Sequence, residues 1–135
     1  MTIVVGFVPR PEGRAALRRA VVEAALRDED LLVINAARGQ AWTEAGYADE
    51  QDLAAVRDEL AGAGVRFDVR QVVRGKDPAD EVIDAAAGAG AQLIVIGLRH
   101  RTAVGKLILG STSQRILLEA DCAVLTVKAD HPTSR

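Results

Sequence analysis

The sequence predicts a doubly wound α/β domain: a five-stranded parallel sheet of order 3-2-1-4-5 with four helices, Rossmann-like in its winding. Three observations lead there. The hydrophobic period switches repeatedly between the two-residue repeat of strands and the 3.6-residue repeat of helices. Strands alternating with helices need crossovers, which are almost always right-handed, so the sheet is parallel with helices on both faces. Finally, 135 residues of which 49% are apolar suit a single hydrophobic core. Residues 1–128 are read as that domain and 129–135 as a polar tail.

Each element has its own signal. Thr2-Ile3-Val4-Val5-Gly6-Phe7 is a β-branched run, the first strand. After Pro9-Arg10-Pro11, Leu17, Ala20, Val21 and Ala24 fall on one helical face, with Arg14, Arg18 and Glu23 on others. Leu31-Leu32-Val33-Ile34 is the second strand, and beyond a loop around Trp42 a helix carries Leu53, Val56 and Leu60, closed by Gly62 and Gly64. Val65, Phe67, Val69, Gln71 and Val73 alternate with Arg66, Asp68 and Arg70, as in a strand with one face or edge in water. Asp77-Pro78-Ala79-Asp80 supplies an N-cap acid, a proline at the first helical position and a second acid, ahead of Val82, Ile83 and Ala86; Gly88 and Gly90 end that helix. Leu93-Ile94-Val95-Ile96 is continuously apolar, as a strand buried on both faces should be. A helix with Ile116, Leu117 and Ala120 leads to the last strand, Ala123-Val124-Leu125-Thr126-Val127.

Composition excludes several classes. No apolar run approaches the ~18–20 residues of a membrane span, and no signal peptide is evident at the start, so no membrane partner and a soluble, cytoplasmic protein are expected. A net charge of -2 and only two Phe, one Trp and one Tyr argue against nucleic acid as a partner. The lone Cys122 cannot form an internal disulfide and reads as a small packed thiol. The histidines are His100, in a loop, and His131, in the tail; no catalytic triad, carboxylate pair or metal-ligand spacing stands out, so no catalytic or metal residue is assigned.

Ligands of doubly wound sheets bind outside the carboxyl ends of the strands, where the strand order reverses. Here that crevice lies between strands one and four, with Phe7–Val8 facing Gly97. From Gly97 to Gln114 the chain reads GLRHRTAVGKLILGSTSQ. Gly97 is expected to turn the chain sharply off the strand and to admit a ligand to the backbone. Gly110-Ser111-Thr112 offers a close-approach glycine, two hydroxyls and the free N–H groups of a helix start. Such a terminus favours phosphate, and Arg99, Arg101 and Lys106 add positive charge. The same residues equally fit a plainer account, in which Ser111 or Thr112 caps the helix and the basic residues are a solvated loop. Two standard phosphate motifs are absent. Around Gly105-Lys106 the P-loop pattern fails at His100 and Leu107, and GFVPRPEG after the first strand lacks the G-x-G-x-x-G of a dinucleotide fold.

This stretch resembles the universal stress protein family, whose nucleotide-binding members carry G-x2-G-x9-G-[ST] between the fourth strand and the last helix. Here it runs Gly97, Leu98-Arg99, His100 in place of the second glycine, nine residues from Arg101 to Leu109, then Gly110-Ser111. The resemblance extends from IVVGF through GKDPADEVIDAA before LIVIG to the closing CAVLTVK. It implies a domain that often dimerises through its last strands and, in some members, holds ATP or a related adenine nucleotide, with Mg, in the crevice. By position, Gly6, Phe7 and Val8 would line the end of strand one, Ala36 the adenine side, Ile96 and Gly97 the ribose or base, and Gly110, Ser111 and Thr112 the phosphates. Arg99, His100 and Arg101 would form a charged lid, although His100 also reads as an exposed loop residue.

Two positions depart from the pattern. The aspartate that nucleotide-binding members place at the end of strand one corresponds to Val8, which cannot accept a hydrogen bond, and His100 replaces a glycine. The function expected from the resemblance is therefore a stress-response regulator that binds ATP, or alternatively a dimeric interaction module without nucleotide. At most slow ATP hydrolysis would accompany it, since Glu12 and Glu119, the nearest acids, read as helix-surface charges. An apolar edge strand invites pairing, so a homodimer through Ala123–Lys128 is expected unless residues 129–135 fold over that edge; a further protein partner is left unidentified by the sequence.

Overall fold

The computed structural model describes residues 1–39, 46–100 and 107–129. Its elements are β1 (Thr2–Gly6), α1 (Pro11–Arg27), β2 (Asp30–Ala37), α2 (Glu50–Ala63), β3 (Phe67–Val73), α3 (Pro78–Ala89), β4 (Leu93–His100), β5 (Leu107–Ile108), α4 (Ser111–Glu119) and β6 (Ala123–Lys128). Five strands pair in parallel in the order β3-β2-β1-β4-β6. This is the expected 3-2-1-4-5 winding, with β6 as its fifth strand.

Strand alternation divides the core into two layers. Ile3, Val5, Leu31, Val33, Leu93 and Val95 face Leu17 and Ala20 of α1 and Leu53, Val56 and Leu60 of α2. Their neighbours Val4, Leu32, Ile34, Ile94 and Ile96 face Val82 and Ala86 of α3 and Ile116 of α4. The central strands β1, β2 and β4 bury both faces, which is why they read as unbroken apolar runs. At one border β3 alternates half-buried Phe67 and Val69 with exposed Asp68 and Arg70, then shifts phase at Gln71, so that Val72 is half-buried and Val73, expected on the inner face, is exposed; at the other, β6 has Leu125 and Val127 against the α1 layer and Val124 against the α3–α4 layer.

Caps follow the sequence closely. Asp49 and Asp52 form a reciprocal capping box on α2, and the Asp77 carboxylate accepts from Ala79 N–H at the start of α3. Gly64 and Gly90, both left-handed, end α2 and α3, whereas Gly62 and Gly88 lie inside those helices.

One expectation is overturned in the second half of β4. Gly97 does not turn the chain, because Gly97 and Leu98 continue the ladder with Val127 and Lys128 of β6. Arg99 and His100 then pair antiparallel with Ile108 and Leu107, so the presumed loop opens and closes as a short β-ribbon. Among the described residues no helix is long and apolar enough to cross a membrane.

Candidate functional site

A cavity of ≈ 290 Å³ opens at the carboxyl ends of β1 and β4, where the strand order reverses. Gly6 at the end of β1, Phe7 and Val8 just after it, and Ala36 of β2, all singled out above, line it. So do Ile96, Gly97 and Arg99 of β4 and Gly110, Ser111 and Thr112 at the start of α4. The side chain of His100, together with Arg101, Lys106, Trp42 and His131, lies outside the described residues.

The first turn of α1 is wedged into this end of the sheet. A Cβ on Gly13 would lie 1.8 Å from the Val8 carbonyl oxygen, and a Cβ on Gly97 would lie 2.1 Å from the Glu12 carbonyl oxygen. Only glycine permits either approach. Gly97 thus serves helix-on-strand packing, where the sequence suggested a turn and an approach for ligand.

That wedge carries Glu12 into the cleft wall. It is 7% exposed, which corrects its reading as a surface charge, and Arg10 Nε stands 3.1 Å from its Oε2. Arg38, from the end of β2, also lines the cavity. Arg10 caps α1, and Glu12 and Gly13 lie in its first turn; the signal available for them was position alone, since the junction of the first strand and first helix faces the crevice in any doubly wound sheet. Glu119, by contrast, is on the surface of α4, paired with Arg115 at 3.0 Å, which holds its carboxyl below the usual range.

A buried amide ties the far wall together. Asn35, 0% exposed, donates from Nδ2 to the carbonyls of Phe7 (2.9 Å) and Gly46 (2.7 Å). Its Oδ1 accepts from Ala48 N–H and from Gln71 Nε2. All four hydrogen-bonding positions of the amide are filled, and they fasten the end of β1, the segment before α2 and β3 to one another. Sequence reasoning missed it because one asparagine inside an apolar strand has no periodic signal.

The opposite end of the cavity is cationic and rich in donors. Gly110 is the cap residue of α4, so Ser111 and Thr112 are its first helical residues and neither occupies the cap position. The Arg99 guanidinium lies 3.3 Å from where a Cβ on Gly110 would sit. Ser113 Oγ donates to Gly97 O at 3.5 Å. Behind this corner, Arg38 and Arg115 both reach Asp77 Oδ2, at 2.8 and 3.1 Å. Burial pushes the Asp77 carboxyl up, but the Ala79 N–H and the two guanidinium groups outweigh it and hold the group below its ordinary range.

Between these ends, Ile34, Ala36, Val82 and Ile96 form an apolar wall. The arrangement suits a ligand with an anionic end and an apolar, flat end. Among the described residues no group of three or more His, Cys, Asp or Glu could hold a metal ion. Cys122 is a free, partly buried thiol packed against the α3–α4 layer, and burial pushes its pKa up, as fits a packing role.

The family model of the universal stress protein family matches residues 1–128. A universal stress protein of Mycolicibacterium smegmatis is 47% identical over 126 residues, covering 93% of this chain and 96% of that one. Among solved structures, a universal stress protein from Archaeoglobus fulgidus superposes with a TM-score of 0.77 at 30% identity, covering 94% of this chain and 97% of that one. A universal stress protein from Archaeoglobus fulgidus in complex with dAMP gives 0.70 at 25% identity, covering 94% and 96%.

Proposed function

The chain belongs to the universal stress protein family, and from that premise we propose that its cleft binds an adenine nucleotide, ATP above all, and that occupancy regulates the surface offered to a protein partner. One observation carries the reading. The Arg99 guanidinium, Gly110 and the free start of α4 share a single cavity with the apolar wall of Ile34, Ala36, Val82 and Ile96. Phosphates suit the first set through free N–H donors and positive charge, and a purine suits the second. The dAMP complex of the Archaeoglobus fulgidus relative supports the same ligand class. Mg would be held by the phosphate oxygens, since the lining residues include one carboxylate, that of Glu12.

The test is thermal unfolding and calorimetry with Mg-ATP, ADP, AMP and cyclic AMP. A ligand at ~100 times its dissociation constant adds ~2.7 kcal/mol of stability, and Arg99→Ala should weaken ATP binding by about tenfold through loss of a charge-assisted contact. If no nucleotide shifts the transition, the reading is wrong.

A second reading, a dimeric interaction module, is favoured by β6. It pairs with β4 on one side, and its other backbone edge has no strand beside it among the described residues. A second copy pairing along Ala123–Lys128 would cover that edge. Sedimentation at micromolar concentration should then give a dimer; a monomer there would refute it.

A further inference from the structure

Four polar or charged residues are buried among the described residues: Glu12, Glu23, Asn35 and Glu81. Three are satisfied within the fold. Glu23 accepts from Arg19 and Arg27, Glu81 takes both arms of Arg74, and Asn35 fills its four positions as described above. Glu12 is the exception. Its Oε2 and the Nε of Arg10 are the two buried side-chain atoms without a hydrogen-bond partner among the described residues. They stand 3.1 Å apart, close enough to attract as ions but not aligned to share the proton. Folded proteins satisfy nearly all such atoms, and exceptions concentrate at functional sites.

Both atoms belong to residues lining the cleft, and the wedge of α1 fixes the backbone beneath them. Glu12 lies over Gly97, whose carbonyl accepts from Ser113 of α4. It is therefore beside the anion-favouring corner. A carboxylate repels phosphate, so its partner is a neutral hydrogen-bond donor on the ligand. Val8, at the end of the first strand, offers no acceptor that could compete for it.

We propose that Glu12 and Arg10 read the nucleoside of the bound nucleotide: Glu12 Oε2 accepts from a ligand O–H or N–H, and Arg10 Nε donates to the atom beside it. The inference rests on the nucleotide reading of the same cleft. Position next to the phosphate corner makes a ribose hydroxyl the donor, because the sugar lies between phosphate and base in any nucleotide. Neighbouring hydroxyls also present a donor and an acceptor side by side.

Calorimetry on the full chain tests this with ATP, 2′- and 3′-deoxyATP, inosine triphosphate and inorganic tripolyphosphate, on the wild-type protein and on Glu12→Gln. The wild type should prefer ATP to at least one deoxy analogue by about tenfold or more, as expected for a hydrogen bond to a charged group. Glu12→Gln should erase that preference and leave tripolyphosphate binding equal or tighter. A preference over inosine triphosphate that Glu12→Gln erases would support the same pair acting on the base amine. Equal wild-type affinities for all four nucleotides overturn the inference, and that comparison needs no variant to fold. ATP binding that Glu12→Gln leaves unchanged overturns it alone, whereas failure of every nucleotide to bind overturns the nucleotide reading with it.

Discussion

Replacing Gly97 with alanine should destabilise the unliganded protein by about 2–3 kcal/mol, the range of overpacking that backbone must absorb. The added Cβ would lie 2.1 Å from the Glu12 carbonyl oxygen, 2.6 Å from its carbon and 2.9 Å from the Glu12 Cβ. Relieving those contacts requires the first turn of α1 to retreat by roughly 1 Å or more. It cannot pivot freely, because Gly13 on the same turn already has the Val8 carbonyl where a side chain would begin, and Ala16 and Leu17 are fully packed behind it. Gly6→Ala is the control: its new Cβ would meet Ile96 Cγ2 at 3.4 Å and Val82 Cγ2 at 3.7 Å, ordinary contacts, and should cost less than about 1 kcal/mol. Urea unfolding without ligand measures both, and thermal unfolding should show Gly97→Ala falling by several degrees. If Gly97→Ala matches Gly6→Ala in the unliganded protein, Gly97 is not glycine for the sake of α1, and the packing argument fails.

Asn35→Ala strips partners from the carbonyls of Phe7 and Gly46 and from the Ala48 amide. With each orphaned group costing about 1–3 kcal/mol, a total loss near 3 kcal/mol is expected in urea, and hydrogen exchange at Ala48 should accelerate more than tenfold; an unchanged Ala48 would contradict the hub. Asp77 has a folded pKa below its ordinary 3.8, so its contribution is full above that value and is lost as pH falls through the lower, folded one. Asp77→Asn keeps a capping side chain but loses charge against Arg38 and Arg115; it should be less stable at pH 7 and lose less stability below about pH 4 than the wild type. Parallel stability curves for the two proteins would refute the assignment.

What the sequence made legible was whatever depends on neighbours along the chain. Leu93 to Ile96 reads as a buried strand because both faces are covered, and Asp77-Pro78 reads as a helix start because cap chemistry is local. Contacts between distant segments were illegible. Gly97 viewed alone signals a turn; that it lies against Glu12, from the other end of the chain, emerges only when α1 crosses β4. Glu12 viewed alone is a first-turn acid at the surface, and burial follows from the same crossing. The ribbon of β4 with β5 spans two residue pairs, too few for any alternation to register.

If the cleft takes a nucleotide, the acceptor that the family pattern puts at the end of the first strand has a counterpart on a different element. The resemblance places an aspartate where Val8 stands; here the carboxylate comes from the next turn, delivered by two glycines that let α1 settle between β1 and β4. If Glu12 does the work of that aspartate, the two positions are alternatives and not partners. Val8→Asp alone should then change ATP affinity little, since a second carboxylate repels Glu12 and competes with it for Arg10. Placed on Glu12→Gln, the same substitution should recover most of a roughly tenfold loss. The coupling between the two changes, read by calorimetry as a double-mutant cycle, should therefore be large and of compensating sign. Additive effects would show that the two carboxylates meet different parts of the ligand, and Glu12 would lose its claim to the aspartate's role.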